Sequence, residues 1–114
     1  MRIKNLTRNT IVAEKVEIAE DFFFRTRGLL GRDKIDEGFA LIITRCKQIH
    51  TFFMRFPIDV LFVDRGNRVI KTISAMPPSR ISGFFWDSHL VIELSAGVIK
   101  ATQTQSQDLL FFEL

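Results

Sequence analysis

In residues 57–74, PIDVLFVDRGNRVIKTIS, two apolar runs flank a turn. Pro57 to Asp64 reads as a strand, apolar from Ile58 to Val63 except for Asp59. Pro57 stands at the start of that run, where the missing N–H disturbs no ladder. The tetrad DRGN, 64–67, has the Asp, Gly and Asn content of a hairpin turn. Arg68–Ser74 then returns as the second strand. The unbroken first run, rather than an alternating one, predicts a buried strand.

Working outward, the same signals recur. Ile3 to Leu6 reads as a short strand, closed by a polar turn at Thr7–Thr10. Ile11 to Ile18 alternates with period two and reads as one strand. Phe39–Ile43 and Leu90–Leu94 read as buried strands, and Leu109–Leu114 as a terminal one. Phe22, Leu29 and Leu30 fall at i, i+7 and i+8, which predicts a short helix near 21–31, with Asp21 as N-cap and Gly31 at its end. Residues 98–104 suit one helical turn. About seven short strands and one definite helix make a mainly β domain, α+β by content. The expected architecture is a single compact β-sandwich or barrel-like domain over residues 1–114.

Composition agrees with that reading. A chain of 114 residues suits one domain, and 46% hydrophobic with 25% charged residues describes a globular protein. The aromatic usage is lopsided, with twelve Phe, one Trp and no Tyr. The runs Phe22–Phe24, Phe52–Phe53 and Phe84–Trp86 cannot all point inward from a strand. Some aromatic surface must be displayed, and such surface marks a contact site. The net charge is +3, and no nucleic-acid motif accompanies it, so a nucleic-acid partner is not expected. One cysteine excludes an intrachain disulfide. No stretch approaches the roughly 20 apolar residues of a membrane span, and the N-terminus lacks a signal-peptide pattern. These features predict a soluble cytoplasmic protein without a membrane partner.

Cys46 and His50 are four apart, a metal-ligand spacing on a helix. The segment CKQIHTFFMRF is rich in β-branched and aromatic residues and ends at a proline, so it reads as extended. An extended chain separates the pair by about 13 Å, while two ligands of one zinc sit about 4 Å apart. No metal and no cofactor is therefore expected. Extended geometry places His50 on one side with Cys46, Gln48, Phe52 and Met54. It reads either as a core histidine bonded to a carbonyl or as an acid–base group.

Asp59 and Glu93 each interrupt an apolar strand, where an ionised carboxylate needs partners. Arg25 and Arg27, on the predicted helix, are candidates to form structural ion pairs with them. The chemical alternative is convergence of Asp59 and Glu93, either as an acid/base pair with His50 or an arginine or as a hard-metal site. Neither a nucleophile elbow nor a phosphate-cradling loop is present.

The ordered set RTRGLLGR, IHTFFMRFPIDVLFVD, NRVIKTI, MPPSR, VIELSAGV and QDLLFF resembles the bacterial and archaeal family known as domain of unknown function 192. The resemblance spans Arg25 to Phe112. It implies a compact β-rich fold with a short helix and no established activity. The family pattern falls on Arg25, Gly28, Leu29, Arg32, Met54, Pro57, Asp59, Phe62, Glu93, Gly97 and Asp108. Leu30 stands where relatives often have Met, and Gln107 where they usually have Gly.

Two functions follow from these residues. The first is a binding or interaction module for a small anionic ligand or a protein partner, using Arg25, Arg27, Arg32 and Trp86. The second is a small hydrolase- or lyase-like enzyme using Asp59 and Glu93 with His50 or an arginine.

Overall fold

Ile58–Val63 forms a strand buried at all six positions, and the rest of the protein is arranged around it. The computed structural model describes residues 1–19 and 33–114. In chain order the strands are β1 (Arg2–Asn5), β2 (Thr10–Ala13), β3 (Lys15–Ala19), β4 (Phe39–Thr44), β5 (Ile58–Val63), β6 (Val69–Met76) and β7 (Leu90–Ser95). A one-turn helix α1 (Val98–Thr102) and strand β8 (Leu110–Glu113) follow. The strands make a three-stranded sheet, β2-β1-β8, and a five-stranded sheet, β3-β4-β7-β5-β6. The protein is mainly β and sandwich-like. The helix predicted near 21–31 lies outside the described residues.

The large sheet has apolar residues on both faces. One face meets the small sheet, and Ile42, Leu61, Val63, Ile92 and Leu94 pack there against Ile3, Val12 and Leu110. On the other face, Leu41, Ile43, Val60, Phe62 and Val91 pack with Ile49, Met54 and Met76. This is why β5 reads as an uninterrupted apolar run. The β5–β6 hairpin turns at DRGN as expected: Asp64 Oδ1 accepts the Gly66 and Arg68 N–H groups, both at 2.9 Å.

Two expectations change. Ile11 to Ile18 is not one strand. It divides at Glu14 into β2, in the small sheet, and β3, parallel to β4 in the large one. The Glu14 and Lys15 N–H groups both donate to the Gly38 carbonyl at 2.8 and 2.9 Å, and the chain changes sheet there. Period-two alternation persists through the crossing, so it does not report the change of partner. Residues 46–56 are not a regular strand either. They form an irregular segment with one isolated bridge, His50 to Ile81. A turn at Phe52–Phe53 breaks the expected alternation, so Met54 is buried with Ile49 and Thr51 while His50 is exposed.

Asp59 shows how a carboxylate can sit inside β5. Its Oδ1 accepts the Ala75 N–H at 2.8 Å. Its Oδ2 accepts the N–H groups of Gly97 at 3.1 Å and Ile99 at 2.8 Å. Gly97 caps α1 with φ of 102° and has no side chain to satisfy the first turn, so Asp59 supplies the acceptor from another strand. Ala75 has φ of 49°, in the irregular stretch of the β5–β6 pairing. One side chain thus joins β5, β6 and the start of α1. Arg25 and Arg27, the partners expected from sequence, lie outside the described residues.

A second carboxylate closes the C-terminal turn. Asp108 Oδ2 accepts from Asn5 Nδ2 at 3.0 Å, Arg8 Nε at 3.1 Å and the Gln105 N–H at 2.9 Å. Burial pushes its pKa up, but the bonds from Arg8, Asn5 and Gln105 outweigh that and hold it below the usual value. The preceding residue, Gln107, has φ of 80°, which explains why glycine suits this position.

Two stability measurements check this account. Asp59→Ala leaves three main-chain donors without their acceptor and should lower the unfolding free energy by about 3–5 kcal/mol in urea denaturation. Gln107→Gly relieves a left-handed side-chain clash and should raise it by up to about 1 kcal/mol.

Candidate functional site

Residues 46–53 run antiparallel to residues 79–89 and are tied to them by main-chain bonds. Phe85 N–H donates to Lys47 O at 2.8 Å, Ser82 N–H to Ile49 O at 2.9 Å, and Thr51 N–H to Arg80 O at 2.8 Å. Short hydroxyl side chains fill the remaining positions. Thr51 Oγ1 donates to Pro77 O at 2.6 Å and accepts the Arg80 N–H at 2.9 Å. Ser82 Oγ accepts the Ile49 N–H at 3.0 Å, and Ser88 Oγ donates to Cys46 O at 2.8 Å. These buried hydroxyls set the loop backbones without regular sheet structure.

The pairing sorts the side chains. Ile49, Thr51 and Ser82 are buried, and Phe85 packs on Phe62 with ring centroids 4.6 Å apart. His50, Phe52, Phe53, Ile81, Phe84 and Trp86 are exposed. Phe53 is 84% exposed, Trp86 76%, Phe84 63% and Ile81 61%. Phe53 also has φ of 66°, a left-handed conformation uncommon for an aromatic residue. Lys47 Nζ donates to the Trp86 and Ser88 carbonyls at 2.5 and 3.0 Å, and so fixes the turn that carries Trp86. Beside Trp86 lies an open groove of about 610 Å³, where Lys47 and Arg65 are balanced by Asp64 and Asp87.

The structure brings together only some of the residues singled out in the sequence. Trp86 and His50 both belong to the exposed loop face. His50 is not a core histidine: its ring stacks on Phe52 at 5.2 Å, and Nδ1 accepts the Phe52 N–H at 3.2 Å. Asp59 and Glu93 do not converge. Cross-strand partners share a face, and Val60 pairs with Glu93 while Asp59 pairs with Leu94. The two carboxylates therefore point to opposite faces of the large sheet. Arg25, Arg27 and Arg32 lie outside the described residues.

Glu93 is buried between Leu41 of β4 and Val60 of β5. Among the described residues its Oε1 has no hydrogen-bond partner. Burial without a partner pushes its pKa up to about 7, so near neutrality this side chain carries a proton for part of the time. The continuous loop face had one sequence signal, the Phe pairs that could not all turn inward. Its membership required the pairing of two distant segments.

A family model described as "Uncharacterized ACR", domain of unknown function 192, matches residues 3–112. A UPF0127 protein from Thermococcus sibiricus is 35% identical over 77 residues, covering 64% of this chain and 50% of that protein. A second UPF0127 protein, from Thermococcus kodakarensis, is 27% identical over 117 residues, covering 95% of this chain and 71% of its own. The chain thus spans half the length of the first of these relatives. Two crystal structures share the fold. One is a protein of unknown function from Novosphingobium aromaticivorans, with a TM-score of 0.83 at 15% identity, covering 97% of this chain and 82% of that one. The other is described as a putative transcription regulator from Sinorhizobium meliloti, with a TM-score of 0.80 at 21% identity, covering 96% and 89%.

The buried acid predicts a pH signature. Below 4.5, the ordinary value for Glu, the folded and unfolded chains both hold the proton. Above it the unfolded chain ionises while the folded one resists until about pH 7. The Glu93 contribution to stability should therefore fall by on the order of 3 kcal/mol between these limits and then level off. Glu93→Gln should remove that component from a pH series of urea melts and be the more stable form at pH 8.

Proposed function

The chain belongs to the Uncharacterized ACR family, domain of unknown function 192, and on that premise we propose that it is a non-enzymatic interaction module. The observation that carries this reading is the exposed face of the paired loops, where Phe53, Ile81, Phe84 and Trp86 stand on an anchored backbone. Large apolar side chains held in water are a cost to the free protein, and covering them is a gain on binding. Phe53 adds backbone strain to that exposure, a combination typical of contact residues. Arg45, Lys47 and Arg55 lie in the same part of the chain and favour an anionic ligand or a partner with an acidic surface. Arg25, Arg27 and Arg32 extend this basic character along the sequence. A cytoplasmic setting accords with the single cysteine.

The enzymatic alternative has one observation in its favour, the Glu93 carboxyl that titrates near neutrality. Against it, Asp59 is saturated by main-chain donors on the opposite face, and His50 stands on the exposed loops.

The test uses wild-type protein and the double variant Phe53→Asn/Trp86→Ala as immobilised baits. Asparagine accepts the left-handed conformation at position 53, so the variant should melt within a few degrees of wild type. A protein retained by wild type supports the reading if, once purified, it binds the variant at least about tenfold more weakly. A parallel titration reads Trp86 emission and melting temperature against phosphate, sulfate and citrate. Identical retention by both baits, with no response to these anions and no binding to lipid vesicles, would exclude the reading.

A further inference from the structure

We infer that the exposed loop face docks on an anionic lipid surface, a proposal that rests on the interaction reading above and names its partner. Local charge favours an anionic partner. Residues 45–56 contain Arg45, Lys47 and Arg55 and no acidic residue, a local charge equal to the +3 of the whole chain. Arg80 lies on the facing segment, and Asp87 is the one acid between Pro77 and His89. Arg55 Nη1 is bonded to Asp33 Oδ1, which offsets one of these charges, whereas Lys47, held by the Trp86 and Ser88 carbonyls, and Arg80 leave the paired loops with more basic than acidic side chains.

The mixture of side chains favours a bilayer interface. Phe53, Ile81, Phe84 and Trp86 share the exposed face with Gln48, His50 and Arg80. A docking face for a folded protein has a dry centre depleted in charge and a polar rim. This face instead interleaves rings and cations. A bilayer interface accepts both together, with rings at the boundary of headgroups and acyl chains and cations among the phosphates. A ring projecting from a turn, as Phe53 does, can enter that boundary without a matching pocket. The indole of Trp86 has one polar edge and suits the same depth.

Surface docking needs no spanning segment. Among the described residues no helix is long and apolar enough to cross a membrane, and the sequence expectation of no membrane partner rested on the absence of a span.

Vesicle sedimentation tests the proposal, using phosphatidylcholine alone and phosphatidylcholine with about one-third phosphatidylglycerol. Wild-type protein should bind the anionic vesicles at least about tenfold more tightly, lose most of that binding in about 0.5 M salt, and show a blue-shifted Trp86 emission when bound. Phe53→Asn should weaken binding about tenfold with an unchanged melting temperature, and Arg80→Gln should weaken it on anionic vesicles only. Absence of binding at low salt, or binding indifferent to Phe53→Asn, would overturn the lipid assignment. If vesicles fail while a protein partner or a small anion responds to the Phe53→Asn/Trp86→Ala variant, the interaction reading stands and the partner is not lipid. If all of these ligands are indifferent to the face, both readings fall.

Discussion

Asp59 is a charge inside a strand that has no exposed residue, and the neighbouring structure is arranged to satisfy it. An ionised carboxylate in that position requires hydrogen bonds to both oxygens. The protein supplies three main-chain N–H groups, one from β6 and two from the start of α1. The dependence is mutual. A helix of five residues, capped by a glycine, has no acceptor of its own for its first N–H groups. Ala75 sits in irregular, left-handed backbone whose N–H turns from the ladder toward Asp59. One carboxylate therefore fixes the start of the only helix among the described residues, the shape of an edge strand and the register between them.

Glu93 shows the opposite solution to the same problem. It lies one strand away, at the position paired with Val60, and points to the other face. Its Oε1 meets no partner among the described residues, and burial raises its pKa to about 7, so near neutrality a proton offsets part of the cost of a buried charge. Two carboxylates that look alike in sequence thus meet burial in different ways, one through three main-chain donors and the other through a raised pKa. The difference arises from which face each strand position occupies, and that is set by the pairing of β5 with β7.

The surface follows from the same core. Thr51, Ser82 and Ser88 anchor two irregular loops to each other and to the sheet. Because their hydroxyls replace ladder bonds, the loops can present six consecutive or alternating large side chains outward without extending the sheet. Phe53 and Trp86 are displayed on loop backbone that these bonds tie in place. The fold shared with proteins of unknown function describes this scaffold, and the chemistry on it belongs to the loops.

The sequence by itself determined the local features: strands where apolar runs met turn signals, the DRGN hairpin, the helical turn near 98–104 and the mainly β class. It also marked Asp59 and Glu93 as needing an explanation, and the Phe pairs as partly exposed. These are readable because turn chemistry and side-chain alternation depend on neighbours in the chain. Only the tertiary structure decided that residues 11–18 divide between two sheets, that Asp59 and Glu93 face apart, and that His50 belongs to an exposed aromatic face. Each of those depends on which distant segment lies alongside. Period-two alternation says that two sides exist, but pairing and register decide which side meets the core, and the residues that set them are far apart in sequence.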